Sequence, residues 1–118
     1  MQINESIENY LERILILQQQ RGSARSVDIA AELRVTKPSV SHATKLLREN
    51  GYIVMDSENG ITLTPTGREI AERMYQRHQM VAKFLISLGV QEETAFADAC
   101  KMEHDISEET FNAICAHA

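Results

Sequence analysis

Apolar side chains recur at Ile3, Ile7, Tyr10, Leu11, Ile14 and Leu17. That is the spacing of one helix face and predicts a helix over 3–20. Arg21-Gly22-Ser23 ends it, and Ser26 is placed to cap a short second helix, Val27–Leu33. The run R-V-T-K-P breaks that helix. Pro38 then opens a third, at a position where a missing N–H costs nothing, and Gly51 stops it after Asn50. Two short extended runs follow, Tyr52–Met55 and Ile61–Thr64, around D-S-E-N-G. Asn59 and Gly60 both tolerate φ > 0, so a hairpin is expected there. Thr66 with Glu69 has capping-box spacing at the head of a long helix, with apolar positions at Ile70, Met74, Val81, Phe84, Leu85 and Leu88 and its end at Gly89. A helix over Glu92–His104 comes next. Ser107 caps a last one, with Glu108 and Glu109 in its first turn, where acids suit the helix dipole.

The chain is therefore mainly α. Three helices and a β-hairpin in that order make an N-terminal winged helix-turn-helix, expected over residues 1–65, and an all-helical lobe over 66–118. With 118 residues the chain forms one compact domain or two small lobes. No apolar run approaches the ~20 residues of a membrane span. The opening M-Q-I-N-E-S-I-E is polar and acidic, unlike a signal peptide, so a cytoplasmic protein is expected. Cys100 and Cys115 are the only cysteines, and in a cytosolic chain two are expected as thiols, Cys115 in an apolar packing role.

Charge changes the picture through its distribution. The net charge is −5, yet residues 21–50 carry Arg21, Arg25, Arg34, Lys37, Lys45 and Arg48 against Asp28, Glu32 and Glu49. A locally basic region suits an anionic partner. The third helix divides into a core face (Val40, Ala43 or Thr44, Leu47) and a polar face (Ser39, Ser41, His42, Lys45). Short hydroxyl side chains near its start, with Thr36 and Pro38 leading into it, allow close approach to a major groove. Arg25, Lys37 and Lys45 are placed to neutralise phosphates. The plain alternative is a helical domain whose polar face meets only water.

A second cluster lies in D-A-C-K-M-E-H-D, residues 98–105. Cys100, Glu103 and His104 fall at i, i+3 and i+4 on one helix face. A hydrolytic arrangement lacks a glycine-rich elbow or an evident oxyanion hole. All three are good metal ligands, and further donors are available in His78 and in Asn9 and Glu12, neighbours at i, i+3 on the first helix. Two rivals stand beside a metal-sensing regulator. One is a metal- or thiol-dependent enzyme; the other is a metal-independent winged-helix regulator that senses oxidation at Cys100.

The stretches E-N-Y-L-E-R-I (8–14), V-D-I-A-A-E-L (27–33), K-P-S-V-S (37–41), G-I-T-L-T-P-T-G (60–67), R-H (77–78), F-L-I-S-L-G-V (84–90) and A-C-K-M-E-H-D-I-S (99–107) together resemble the diphtheria toxin repressor family of metal-dependent transcriptional repressors. The resemblance covers nearly the whole chain. It implies a non-enzymatic homodimer, a helical metal-binding and dimerisation lobe, palindromic operator DNA as partner, and no small-molecule substrate or membrane. The motif positions implied as metal ligands are Glu12, His78, Cys100, Glu103 and His104, with Asn9 where the iron-sensing branch has Met and the manganese-sensing branch has Asp. The iron branch's ancillary site also uses two positions occupied here by Ala82 and Phe96, so that site is absent. A thiolate among imidazole and carboxylate donors favours Fe2+, Co2+, Ni2+ or Zn2+ over Mn2+, and availability then selects Fe2+ with Mn2+ second, while the Glu12 and His78 matches pull toward manganese. Affinity is expected to fall below pH ~6.5, the unperturbed imidazole value.

Overall fold

The computed structural model describes residues 5–103 and 105–117. The chain order is α1 (Glu5–Arg21), β1 (Ala24–Arg25), α2 (Ser26–Leu33), α3 (Lys37–Glu49), β2 (Ile53–Met55), β3 (Gly60–Leu63), α4 (Pro65–Ser87), α5 (Glu92–Met102) and α6 (Glu108–His117). The fold divides into two compact units, residues 1–72 and 73–118, with the division inside α4.

The first unit is the winged helix-turn-helix. Helix α1 packs on α2, α3, β1 and β3. It carries Ile7, Leu11, Ile14, Leu15 and Leu17 in the core, beside Ile29, Val40, Leu47, Ile53 and Ile61. The predicted Ile3 lies outside the described residues. Thr44, buried on the core face of α3, donates its hydroxyl to the Val40 carbonyl at 2.9 Å, which satisfies the polar group within its own helix. The sheet has order β1-β3-β2 and is antiparallel throughout. Ile53 pairs with Leu63, Met55 with Ile61, and Ala24 with Ile61 across the other edge of β3.

Several helix starts differ from the expectation. Ser26 is the first residue of α2, and Arg25 occupies the cap in extended conformation without a side-chain bond. Thr36 caps α3, accepting from the Ser39 N–H at 3.2 Å, so the helix begins at Lys37 with Pro38 in its first turn. Thr64, not Thr66, caps α4, its hydroxyl accepting from the Gly67 N–H at 3.2 Å. Pro65 explains the shift: it takes the first helical position and has no N–H of its own to satisfy. The wing turn spans Asp56–Asn59. Only Asn59 adopts positive φ, at 63°, while Gly60 already belongs to β3. The turn is held by the Asp56 carboxylate, which accepts from the Glu58 N–H at 2.8 Å and the Gly60 N–H at 2.9 Å.

The second unit is helical. Val81, Ala82, Ala95 and Ala99 form its buried centre, with Leu85, Val90, Met102, Ile106 and Phe111 packed around them. Val81 and Ala82 come from α4, and Ala95 and Ala99 from α5. Gly89, at φ 102°, ends α4, and the Val90 N–H returns to the Leu85 carbonyl at 3.1 Å. Helix α5 ends at Met102, short of the expected His104. Ser107 caps α6 as expected, accepting from the Thr110 N–H at 3.1 Å.

Candidate functional site

The first candidate surface belongs to the winged unit. Thr36, Lys37, Pro38, Ser39, Ser41, His42 and Lys45 are all exposed along α3 and its cap, and Arg25 is exposed on β1. A groove of about 290 Å³ runs between α2, α3 and the wing, lined by Arg25, Ser26, Val27, Lys37, Ser41 and Asn59 among others. The sequence pattern thus puts its small hydroxyl groups and its cations on one open face. Arg25 forms a 3.6 Å ion pair with Glu58 of the wing. Both side chains are mostly exposed, so the pair is weak and readily exchanged for a phosphate. Arg48 was not among the candidates, yet it lines the adjoining hollow with Ser26, Ser41, Thr44, Met55 and Asn59. Its spacing three residues beyond Lys45 on the same helix is a signal that could have found it.

The second candidate surface lies in the helical unit. His78 is half-buried on α4, and its Nε2 lies 2.9 Å from the Phe96 carbonyl oxygen. A carbonyl only accepts, so Nε2 carries the proton and Nδ1 is the acceptor nitrogen. The Phe96 ring also meets the imidazole edge-on, at 5.8 Å between centroids. Metal-binding histidines typically have this backing from a backbone carbonyl. Glu103, at the C-cap of α5, is 2% exposed. A carboxylate so buried is paired, hydrogen-bonded or holds a cation. One ring nitrogen of His78 and one carboxylate oxygen of Glu103 lie within 4.8 Å of each other, a spacing that suits a shared ion. Among the described residues this grouping does not include Cys100, which is half-buried on α5 and in no disulfide. Ala82 is fully buried in the helical core and offers no donor. His104 lies outside the described residues. In the first unit, Glu12 is buried on α1 with 4% exposure, and Asn9 is half-buried one turn before it.

Sequence reasoning missed two features of the helical unit. Phe96 supports His78 through its backbone carbonyl, which no side-chain pattern encodes. Arg77 was noted only as part of R-H, and its buried guanidinium contacts residues 26 and 31 positions away.

A winged helix-turn-helix followed by a helical unit with a histidine–carboxylate pair is the plan of a metal-responsive DNA-binding regulator. Residues 2–61 match the family described as "Iron dependent repressor, N-terminal DNA binding domain", and residues 64–118 match "Iron dependent repressor, metal binding and dimerisation domain". The chain belongs to this iron-dependent repressor family, the diphtheria toxin repressor family. It is 44% identical over 112 residues to the transcriptional regulator MntR of Salmonella typhimurium, a match covering 95% of this chain and 71% of that protein. Among solved structures it resembles IdeR of T. acidophilum, with TM-score 0.84 and 27% identity over 99% of this chain and 55% of that one. It also resembles a manganese-dependent transcriptional repressor solved with manganese, with TM-score 0.84 and 26% identity over 94% of this chain and 51% of that one. The chain thus spans about half the length of these two solved structures. No helix among the described residues is long and apolar enough to cross a membrane.

Proposed function

We propose that the chain is a Mn2+-responsive transcriptional repressor that binds a palindromic operator duplex as a homodimer and turns over no substrate. The observation that carries the proposal is the His78–Glu103 pair: a buried carboxylate beside an imidazole whose Nε2–H is engaged by a backbone carbonyl. The donor chemistry fits a divalent ion. Glu103 and His78 would hold it, with Glu12, His104, Asn9 and Cys100 as the further donors that the family resemblance implies. When bound, the ion supplies the positive charge that lets several carboxylates share one place. The regions matched by the DNA-binding and the metal-binding family models follow one another in the chain, so loading would act on DNA binding through coupling between them. A coupled pair of recognition helices is then held for successive major grooves, and an uncoupled pair carries an ordering cost into DNA binding.

Mn2+ takes the place of Fe2+ as the favoured ion. The preference for Fe2+ rested on the Cys100 thiolate as a donor, whereas the donors that carry this reading are the His78 imidazole and the Glu103 carboxylate. Carboxylate donors beside an imidazole suit Mn2+. The similarity to the manganese-dependent repressor supports the same choice. The exposed Leu88 and Ile86 of the helical unit are candidates for the subunit contact.

Anaerobic isothermal titration with Mn2+ and Fe2+, beside His78→Ala, tests the site. Tighter Mn2+ binding that the substitution removes is the expected result. Binding of equal strength in wild type and His78→Ala would overturn the ligand assignment, and tighter Fe2+ binding would overturn the choice of ion.

A further inference from the structure

We infer that Arg77 is a positioning residue for the metal ligands, holding the main chain at Glu103 while Glu103's carboxylate faces His78. The inference rests on the metal-binding proposal above. Arg77 is 8% exposed, although it is a permanently charged residue. Its guanidinium has three separate partners. One Nη donates to the Glu103 backbone carbonyl at 3.1 Å. The other donates to the Glu108 carboxylate at 2.5 Å. The carbon of the guanidinium lies 4.4 Å from the centre of the Phe111 ring.

The location of these partners gives the arrangement its meaning. Glu103 is the C-cap of α5, and the backbone leaves the helix there. A carbonyl at a helix end has no intrahelical partner and needs a donor from elsewhere. Arg77 provides that donor. Glu108 and Phe111 belong to the first turns of α6. One side chain of α4 therefore fastens both the end of α5 and the start of α6. His78, the next residue of α4, faces the carboxylate of the same Glu103. The two ends of Glu103 are thus engaged by two consecutive residues: its carbonyl by Arg77, its carboxylate neighbouring His78. Glu108 offsets the cationic charge, but its side chain is 77% exposed and its pairing is screened by water. The bond to the Glu103 carbonyl therefore contributes most of the positioning.

Loss of a partner that orients a metal ligand typically weakens metal affinity about 10–100-fold. Arg77→Met keeps bulk and burial but removes both hydrogen bonds, and it should weaken Mn2+ binding within that range. Arg77→Lys keeps the charge and can satisfy only part of the geometry, so it should fall between Arg77→Met and wild type. Phe111→Leu loosens the same packing without touching the carbonyl bond and should leave Mn2+ affinity within about threefold of wild type, since only area and ring contact change.

The experiment is isothermal titration of the full chain with Mn2+, with circular dichroism and metal-free thermal unfolding of each variant. The expected result is the order wild type, Arg77→Lys, Arg77→Met in affinity, with Phe111→Leu near wild type. Wild-type affinity in a folded Arg77→Met protein would overturn the inference, as would an equal loss in Phe111→Leu, which would make Arg77 a packing residue. If Arg77→Met does not fold, Arg77→Lys decides: weaker Mn2+ binding at native dichroism supports positioning, and unchanged binding refutes it. His78→Ala separates the two levels. If it binds Mn2+ as wild type does, the metal-site proposal itself fails, whatever Arg77 does.

Discussion

Gly67 offers the sharpest test of how the wing is joined to α4. A Cβ built there would lie 2.0 Å from the Tyr52 carbonyl oxygen and 3.0 Å from its carbon. Non-bonded heavy atoms settle at about 3.5 Å or more, so Gly67→Ala overlaps backbone by more than ~1 Å. The obstacle cannot rotate away. The Tyr52 carbonyl accepts from the Thr64 N–H at 3.0 Å, and the Thr64 hydroxyl donates to the Gly51 carbonyl at 2.6 Å. Overpacking of this kind costs about 1–3 kcal/mol, and a backbone-to-backbone clash belongs at the upper end. Alanine recovers up to about 1 kcal/mol of helix propensity. The net loss is then about 2 kcal/mol, or roughly 8–16 °C in melting temperature at the size of the first unit. Thermal unfolding followed by circular dichroism measures it. A melting temperature within about 2 °C of wild type, too small for a 1 kcal/mol loss, would refute the close approach of α4 to Tyr52.

Other expectations follow from the wing, the α3 face and the helical unit. The N–H groups of Gly60 and then Glu58 hold the Asp56 carboxyl below its usual range, with Arg25 a lesser contributor and a small opposing effect of desolvation. A depressed folded-state value means the wing-tip stabilisation is complete above the ordinary value of ~3.9 and is lost as pH falls through the lower folded value. Asp56→Asn should remove that pH dependence, and Glu58 and Gly60 amide signals in wild type that titrate above ~pH 4 would contradict it. Lys37→Ala and Lys45→Ala should each lower the slope of log affinity against log salt by about one, measured by fluorescence anisotropy on duplex DNA, and an unchanged slope would remove that residue from the phosphate contacts. Leu88 is 65% exposed, and Leu88→Glu should shift a dimer toward monomer in sedimentation, whereas an unchanged mass would place the subunit contact elsewhere.

Much of the winged unit was legible because long helices announce themselves by period. Helix α1 keeps its apolar spacing along its length, and α3 carries a proline in its first turn and ends just before Asn50-Gly51. The two-residue strand β1 was not legible, since Ala24-Arg25 is too short to show alternation and owes its existence to the edge of β3. The cap of α4 was placed at Thr66 instead of Thr64 because both are threonines, and Pro65 between them decides; the cap of α3 at Thr36 was not named. At the candidate metal site, Glu103 and His78 could be named from residue type and motif. The Phe96 carbonyl and the three contacts of Arg77 could not, because they depend on how α4, α5 and α6 pack.

The central claim is that Mn2+ controls DNA binding, and its most direct test is affinity for duplex DNA with and without the ion. A randomised duplex pool selected on the Mn2+-loaded protein provides the probe, and anisotropy then measures its binding in Mn2+ and in chelator. Coupling of the usual allosteric size predicts affinity at least about fivefold tighter with Mn2+, a palindrome in the selected pool, and loss of the difference in His78→Ala. Equal affinity in Mn2+ and in chelator would contradict the account and leave a winged-helix regulator whose DNA binding is independent of metal.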